Sequence, residues 1–150
     1  ILQGFIVAFG DKFLLGVQTV NTALLIFVSM FASAVFTIIV FTLMSVFGNL
    51  GKALAIILMV LQLAGSGGSY PIQVDPLFFR IIQPTFPFTY AISGYREAIA
   101  GPLVSTVILD FAILTIMGLV FILLGYLLKG PLNPRVRKFE DMFEESGIAE

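Results

Sequence analysis

The chain has 150 residues, a formal net charge of −1, 59% hydrophobic residues and only 11% charged residues. A soluble domain carries about 25% charged residues, so this chain has too few polar groups to cover a surface that faces water, and its charge argues against a nucleic-acid partner. The sequence contains no cysteine and no histidine, which excludes disulfides, thiolate metal sites and histidine-based catalytic triads. We therefore expect a protein of the lipid bilayer that is not an enzyme and holds no cofactor or metal.

The first apolar stretch, residues 1–9, is too short to cross a bilayer and runs into Asp11-Lys12. A single span over residues 1–20 would bury both charges, at ~2.5–3.5 kcal/mol each. We interpret Ile1 to Phe9 as the end of a span that begins in a longer chain.

No charged residue lies between Lys12 and Lys52. As one helix this segment would measure roughly 58 Å, well above the ~30 Å of a bilayer core, so it must break. The sequence predicts breaks at residues 18–21 and at the Gly48-Asn49-Leu50-Gly51 turn. Between them, Thr22 to Phe47 is predicted to form a transmembrane helix.

The next apolar run, Ala53 to Ala64, is too short to span alone. It reaches the required length only if it begins near Leu50 and Lys52 extends its ammonium back to the headgroups. The glycine-rich segment that follows, with Gly65, Gly67 and Gly68, has two interpretations: a plain loop at the membrane surface, or a break that lines a cavity at membrane depth.

Prolines and aromatic residues alternate from residue 70 to residue 101 and forbid one continuous helix. Asp75 as a cap predicts a short helix from Pro76 to Gln83, and Thr89 as a cap predicts a second from Tyr90 to Ala100, ended by Gly101-Pro102. We expect a hydrophobic hairpin that dips partway into the bilayer from the outer side.

Leu103 to Leu128 is predicted to be the last transmembrane helix, closed by Lys129-Gly130-Pro131. Its single charge, Asp110, is a candidate site because an ionisable group inside a span is costly to keep there. Three roles are open: an ion pair with Arg96 or Arg80, a place in a transport pathway or proton relay, and simple extension to the surface. Arg96 and Glu97 are expected to form a solvated or interhelical salt bridge.

The tail, Lys129 to Glu150, is predicted to be a cytoplasmic amphipathic segment after a membrane domain at 1–128. With the C-terminus inside, five basic residues lie on the inner side and three on the outer side, which agrees with the distribution of Lys and Arg in membrane proteins. The expected interfacial cations are Lys52, Arg135, Arg137 and Lys138.

Residues 47–101 also carry a resemblance to a known family, and they read FGNLGKALAIILMVLQLAGSGGSYPIQVDPLFFRIIQPTFPFTYAISGYREAIAG. The GNLGKA turn, the LAGSGG break and the proline-rich segment with Pro-Phe-Thr-Tyr and Arg-Glu closely resemble the C-terminal membrane region of the YhgE/Pip family, the phage infection proteins of Gram-positive bacteria. The resemblance continues into the last span with Asp110 and into the tail.

That family is similar to the type-2 permeases of ABC transporters, which place two short re-entrant helices before the last of six spans. The resemblance therefore implies an all-α, polytopic transmembrane bundle in the bacterial plasma membrane. It implies a homodimer that exports a lipid-like or cell-envelope substrate with a separate ATP-binding subunit, and phage adsorption through an extracellular region outside these residues. The alternative is a membrane anchor or scaffold that does not transport and serves as a phage receptor or secretion component.

Overall fold

A computed structural model describes residues 1–68 and 72–145, and for residue 72 and residues 131–135 and 137–145 it describes the backbone alone. In these ranges every regular element is helical, so the all-α prediction is confirmed. The α-helices are α1 (Leu2–Phe13), α2 (Thr22–Gly65), α3 (Leu77–Ile82), α4 (Pro87–Ala100) and α5 (Val104–Glu145), with 3-10 turns at Ile72–Val74 and Gln83–Thr85. Two stretches, Thr22–Gly65 and Val104–Gly130, are long and apolar enough to cross a membrane.

Helix α2 is a hairpin of two arms, residues 22–47 and 49–65, which meet at Gly48. This residue has φ 55° and ψ −129°, a backbone conformation open to glycine and strained for any side chain with a Cβ. Leu58 of the second arm packs back on the cluster of Val35 and Ile39 in the first arm. The predicted break at Gly48 is therefore confirmed, and the first arm begins where Asn21 caps the backbone N–H of Leu24 at 3.0 Å.

Helix α5 runs parallel to the first arm of α2. The ring of Phe111 lies 5.1 Å from that of Phe27 and 4.9 Å from that of Phe31. Further along, Gly125 leaves room for Thr42, whose methyl carbon would lie 3.1 Å from a Cβ at that glycine. Small residues at a contact let two helix backbones approach closely, which is the main source of packing energy between helices in lipid.

Helix α1 runs antiparallel to the first arm of α2 and covers its first turns. A Cβ at Gly4 would lie 2.5 Å from the carbonyl oxygen of Ser29, so the two backbones are in close contact. Ala8 packs in one buried cluster with Leu25 and Ala98. The helix continues past Phe9, the predicted end of the apolar run, because the charges of residues 11 and 12 fall in its last turn, near the loop.

Two predicted boundaries are wrong. Helix α5 does not end at Lys129-Gly130-Pro131 but continues to Glu145. Proline has a helical φ, so Pro131 removes a hydrogen bond without reversing the chain. Helix α4 begins at Pro87 and not at Tyr90, and the Thr89 hydroxyl donates to the carbonyl of Gln83 at 2.9 Å instead of capping a helix.

The other boundaries in the proline-rich segment are close to prediction. Helix α3 forms within one residue of the predicted ends, although Pro76 and not Asp75 occupies the capping position. Helix α4 ends at Gly101, whose φ of 125° reverses the chain before α5 begins.

Candidate functional site

Helix α4 is re-entrant with respect to the α2 hairpin, since it starts deep in the bundle and ends where the first arm begins. Its last turn places Ala98 in the Leu25 cluster, and its first turn places the ring of Phe88 4.8 Å from that of Phe36. Positions 25 and 36 are eleven helical steps apart, a distance of about 16 Å. The N-terminus of α4 therefore lies about half a bilayer core from the chain reversal at Gly101.

Gln62, from the second arm of α2, caps this buried N-terminus. Its side-chain oxygen accepts a hydrogen bond from the backbone N–H of Phe88 at 3.2 Å, and the residue is only 3% exposed. The capping residue itself, Phe86, offers no side-chain acceptor. Because the first N–H groups of a helix have no partner within the helix, a donor at this depth needs an acceptor from a neighbour.

A cavity of ≈ 410 Å³ adjoins the same helix end. Residues of both arms of α2 line it, together with Phe88 of α4, and its one amide is Gln62. Its volume falls within the ~300–1,000 Å³ range of ligand pockets, which are typically apolar with a few polar groups. The lining includes Phe36, Leu43, Ala55 and Met59. Its surface suits a hydrocarbon chain.

Asp110 lies six residues into α5, at about 9 Å from its start. The residue is 5% exposed, and its Oδ2 atom has no hydrogen-bond partner. Among the described residues, the Ser93 hydroxyl and the Glu97 carboxylate of α4 act on its carboxyl. Tyr90 of the same helix is near enough to respond to its charge, although the Tyr90 hydroxyl donates to the carbonyl of Pro84 at 2.8 Å. These residues, at positions 90, 93 and 97, share one face of α4.

The ion pair with Arg96 or Arg80, one of the three roles open for Asp110, is not formed among the described residues. Arg96 instead donates to the carbonyl of Gly67 at 2.6 Å. Glu97 accepts from the backbone N–H of Leu103 at 2.5 Å and thereby caps the start of α5. Arg96 and Glu97 were therefore not found in the expected solvated or interhelical salt bridge, because each side chain bonds a backbone group instead.

The glycine-rich segment packs closely on the re-entrant helices. A Cβ at Gly65 would lie 2.6 Å from the ring of Phe79, and one at Gly68 would lie 2.7 Å from the side chain of Ile92. Gly67 is buried with φ 74°, and its carbonyl holds Arg96. Ser66, 4% exposed, has a hydroxyl without a partner. This part of the segment is a contact of the end of α2 with α3 and α4, and the role of the glycines in a pathway remains a prediction.

The predicted interfacial cations are only partly within the described side chains. Lys52 is exposed just after the Gly48 break, at the end of the bundle where Lys129 lies beside Ser45. The side chains of Arg135, Arg137 and Lys138 lie outside the described residues. Within the described part of the chain, no three acidic residues are close enough together to hold a metal ion.

Sequence reasoning missed Gln62 and Ser93. A usable signal existed for Gln62, because it is the only amide or charged residue between Lys52 and Gly65. Ser93 stands four residues before Glu97, but nothing in the sequence indicates that this face of α4 meets α5.

Comparison with known proteins finds a likeness to one of them. Over 101 residues the chain is 34% identical to "Uncharacterized protein YhgE" of Bacillus subtilis (strain 168). The match covers 67% of this chain and 13% of that protein, so the chain spans only a small part of its relative. No family model matches the chain. No solved structure matches it either.

Proposed function

The chain is related to YhgE, as its sequence motifs predict, and from that relationship we propose that it is the C-terminal membrane domain of an exporter for a lipid-like or cell-envelope substrate. In this proposal the domain is a multi-pass bundle of the bacterial plasma membrane with a cytoplasmic C-terminus. It acts as a homodimer and takes its energy from a separate ATP-binding subunit.

The observation that carries the proposal is the ≈ 410 Å³ cavity at the buried end of α4. An exporter of a lipid-like molecule needs an apolar volume at membrane depth with a polar group that can orient the molecule. The cavity offers apolar residues of both α2 arms and the amide of Gln62. Discontinuous helices that end at midplane are also where transporters bind substrate, and α4 has its N-terminus at such a depth.

The proposal is tested by filling the cavity with a larger side chain. Ala55 lines it, and Ala53, two residues earlier on the same arm, is exposed on another face. The full-length protein in native membranes is incubated with a photoactivatable fatty acid, irradiated, and mapped by mass spectrometry. We expect adducts on cavity residues that Ala55→Phe abolishes and the matched control Ala53→Phe retains. Adducts spread equally over all exposed apolar residues, and unchanged by Ala55→Phe, would contradict a substrate cavity.

The energy source is tested separately. The full-length protein is purified from native membranes in mild detergent, and an ATP-binding subunit is sought in the complex. A stoichiometric ATPase supports the exporter, whereas its reproducible absence favours the second candidate.

That second candidate is an anchor or scaffold that presents an extracellular region and serves as a phage receptor or secretion component. The observation in its favour is the length of the relative. The match covers only 13% of that protein, so most of its length could form the presented region. For an anchor, Ala55→Phe should leave every phenotype of a correctly inserted protein unchanged.

A further inference from the structure

The Asp110 carboxyl has an environment that the proposed transport function does not explain. It is 95% buried (100 − 5), and its Oδ2 atom exposes less than 1 Å² and accepts no hydrogen bond. Among the described residues, the charged group that acts on it is the carboxylate of Glu97. The described surroundings thus supply one negative charge, the hydroxyl of Ser93 and the side chain of Tyr90, with no cation among them.

A carboxylate in such a place needs compensation, because an uncompensated charge buried in an apolar medium costs several kcal/mol or more. Three kinds of compensation exist: a protein cation, a bound cation, or a proton. Arg96 is the closest basic residue in sequence, and its guanidinium is engaged by Gly67. A metal ion or an ammonium group needs open space beside the oxygen that it binds, and at the covered Oδ2 atom there is none.

We propose that Asp110 is a proton-binding site, reached from the Gly101 end of the bundle along the Glu97–Ser93 face of α4. Glu97 and Ser93 are one helical turn apart on that face. Glu97 is only half-buried and lies next to the loop that starts α5, so it can take a proton from water. The Ser93 hydroxyl can accept that proton while it gives its own to Asp110.

The transfer is balanced without any further reactant. A hydronium ion in the water at the loop gives a proton to the Glu97 carboxylate and becomes a water molecule. The O–H bond at Glu97 then breaks as one forms at Ser93, and the original Ser93 O–H bond breaks as one forms at Asp110. Release of the proton reverses these steps. The inference goes beyond the proposed export function and does not depend on it, since it concerns the state of one carboxyl group.

Infrared spectroscopy of the full-length protein in lipid nanodiscs tests the proposal, because a protonated carboxyl has a carbonyl stretch that an ionised one lacks. At neutral pH we expect this band in the difference between wild type and Asp110→Asn. Asp11→Asn, which removes an acid in the last turn of α1, should give no such band. If Asp110→Asn fails to fold, Asp110→Glu serves instead, because it keeps the acid and shifts its band.

The proposal would be overturned if the wild type showed no carbonyl band and Asp110→Asn lost only the absorption of an ionised carboxylate. The proton path to Asp110 is tested by hydrogen–deuterium exchange, measured as the rate at which the carbonyl band of Asp110 shifts in heavy water. Glu97→Gln, which can still accept from Leu103, should slow that exchange, and Arg80→Gln on exposed α3 should not. Equal rates in both variants would refute the route through Glu97. Transport assays are not needed, so failure of the export proposal remains distinguishable.

Discussion

Gln62 shows how one amide determines the position of a neighbouring helix. Its oxygen accepts from the Phe88 N–H at 3.2 Å, and the residue is only 3% exposed. We expect Gln62→Ala to lower the free energy of unfolding by about 1–3 kcal/mol, the cost of a buried donor left without a partner. The measurement is thermal unfolding of the full-length protein in detergent. The control is Gln18→Ala in an exposed loop, and an equal shift in both variants would contradict the capping role.

Two glycines of the same helix, Gly4 and Gly10, should respond oppositely to the same substitution. A Cβ at Gly4 would lie 2.5 Å from a backbone oxygen of α2, whereas one at Gly10 meets only the Leu14 side chain at 3.9 Å. We expect Gly4→Ala to destabilise α1 packing, and Gly10→Ala to stabilise the helix by up to ~1 kcal/mol through better helix propensity. Melting temperatures of the two variants check this, and a stabilised Gly4→Ala would show that the helices are not in close contact.

At the scale of elements, the α2 hairpin depends on Gly48. Gly48 has φ 55° and ψ −129°, so we expect Gly48→Ala to lower the free energy of unfolding by about 1–3 kcal/mol. If α2 straightened instead, Leu58 would lose its contacts with Val35 and Ile39. Gly130→Ala is the matched control, because a Cβ there meets nothing within 4 Å. Hydrogen exchange of the full-length protein should show faster exchange in residues 53–62 for Gly48→Ala only. Unchanged protection would mean that the turn tolerates a side chain.

The same elements show what the sequence can predict. Glycines at 48 and 101 mark chain reversals because their backbone conformations are local, and both reversals were predicted. The sequence predicts a start of α4 that is three residues too late, because its cap comes from Gln62, far away in sequence. The end of α5 was placed too early, because glycine and proline signals are only local preferences. For Asp110 the burial was predictable from its place in an apolar run, but its neighbours depend on how α4 meets α5.

At the scale of the whole molecule, the apolar surface determines the environment. In the most apolar 18-residue stretch of α5, only 17% of the residues are buried within the chain. In the corresponding stretch of α2 the buried share is 33%. The core helix of a soluble protein would be mostly buried, so most of these side chains must face lipid or other protein segments. The bundle has two polar ends. Lys52 and Lys129 lie near the Gly48 turn, and the loops around Gln18 and Gly101 lie at the opposite end.

These ends lead to a prediction of topology that the cysteine-free sequence makes easy to test. In a full-length protein without other cysteines, single cysteines replace Lys52 and Gln18. A charged maleimide added to intact cells should label Gln18→Cys and leave Lys52→Cys unlabelled until the membrane is permeabilised, because basic residues favour the cytoplasmic side. The reverse labelling pattern would show that the bundle has the opposite orientation. Glu97, the proposed entry point for protons, would then lie on the inner side of the membrane. Labelling of both sites in intact cells would show that the α2 hairpin does not cross the bilayer at all.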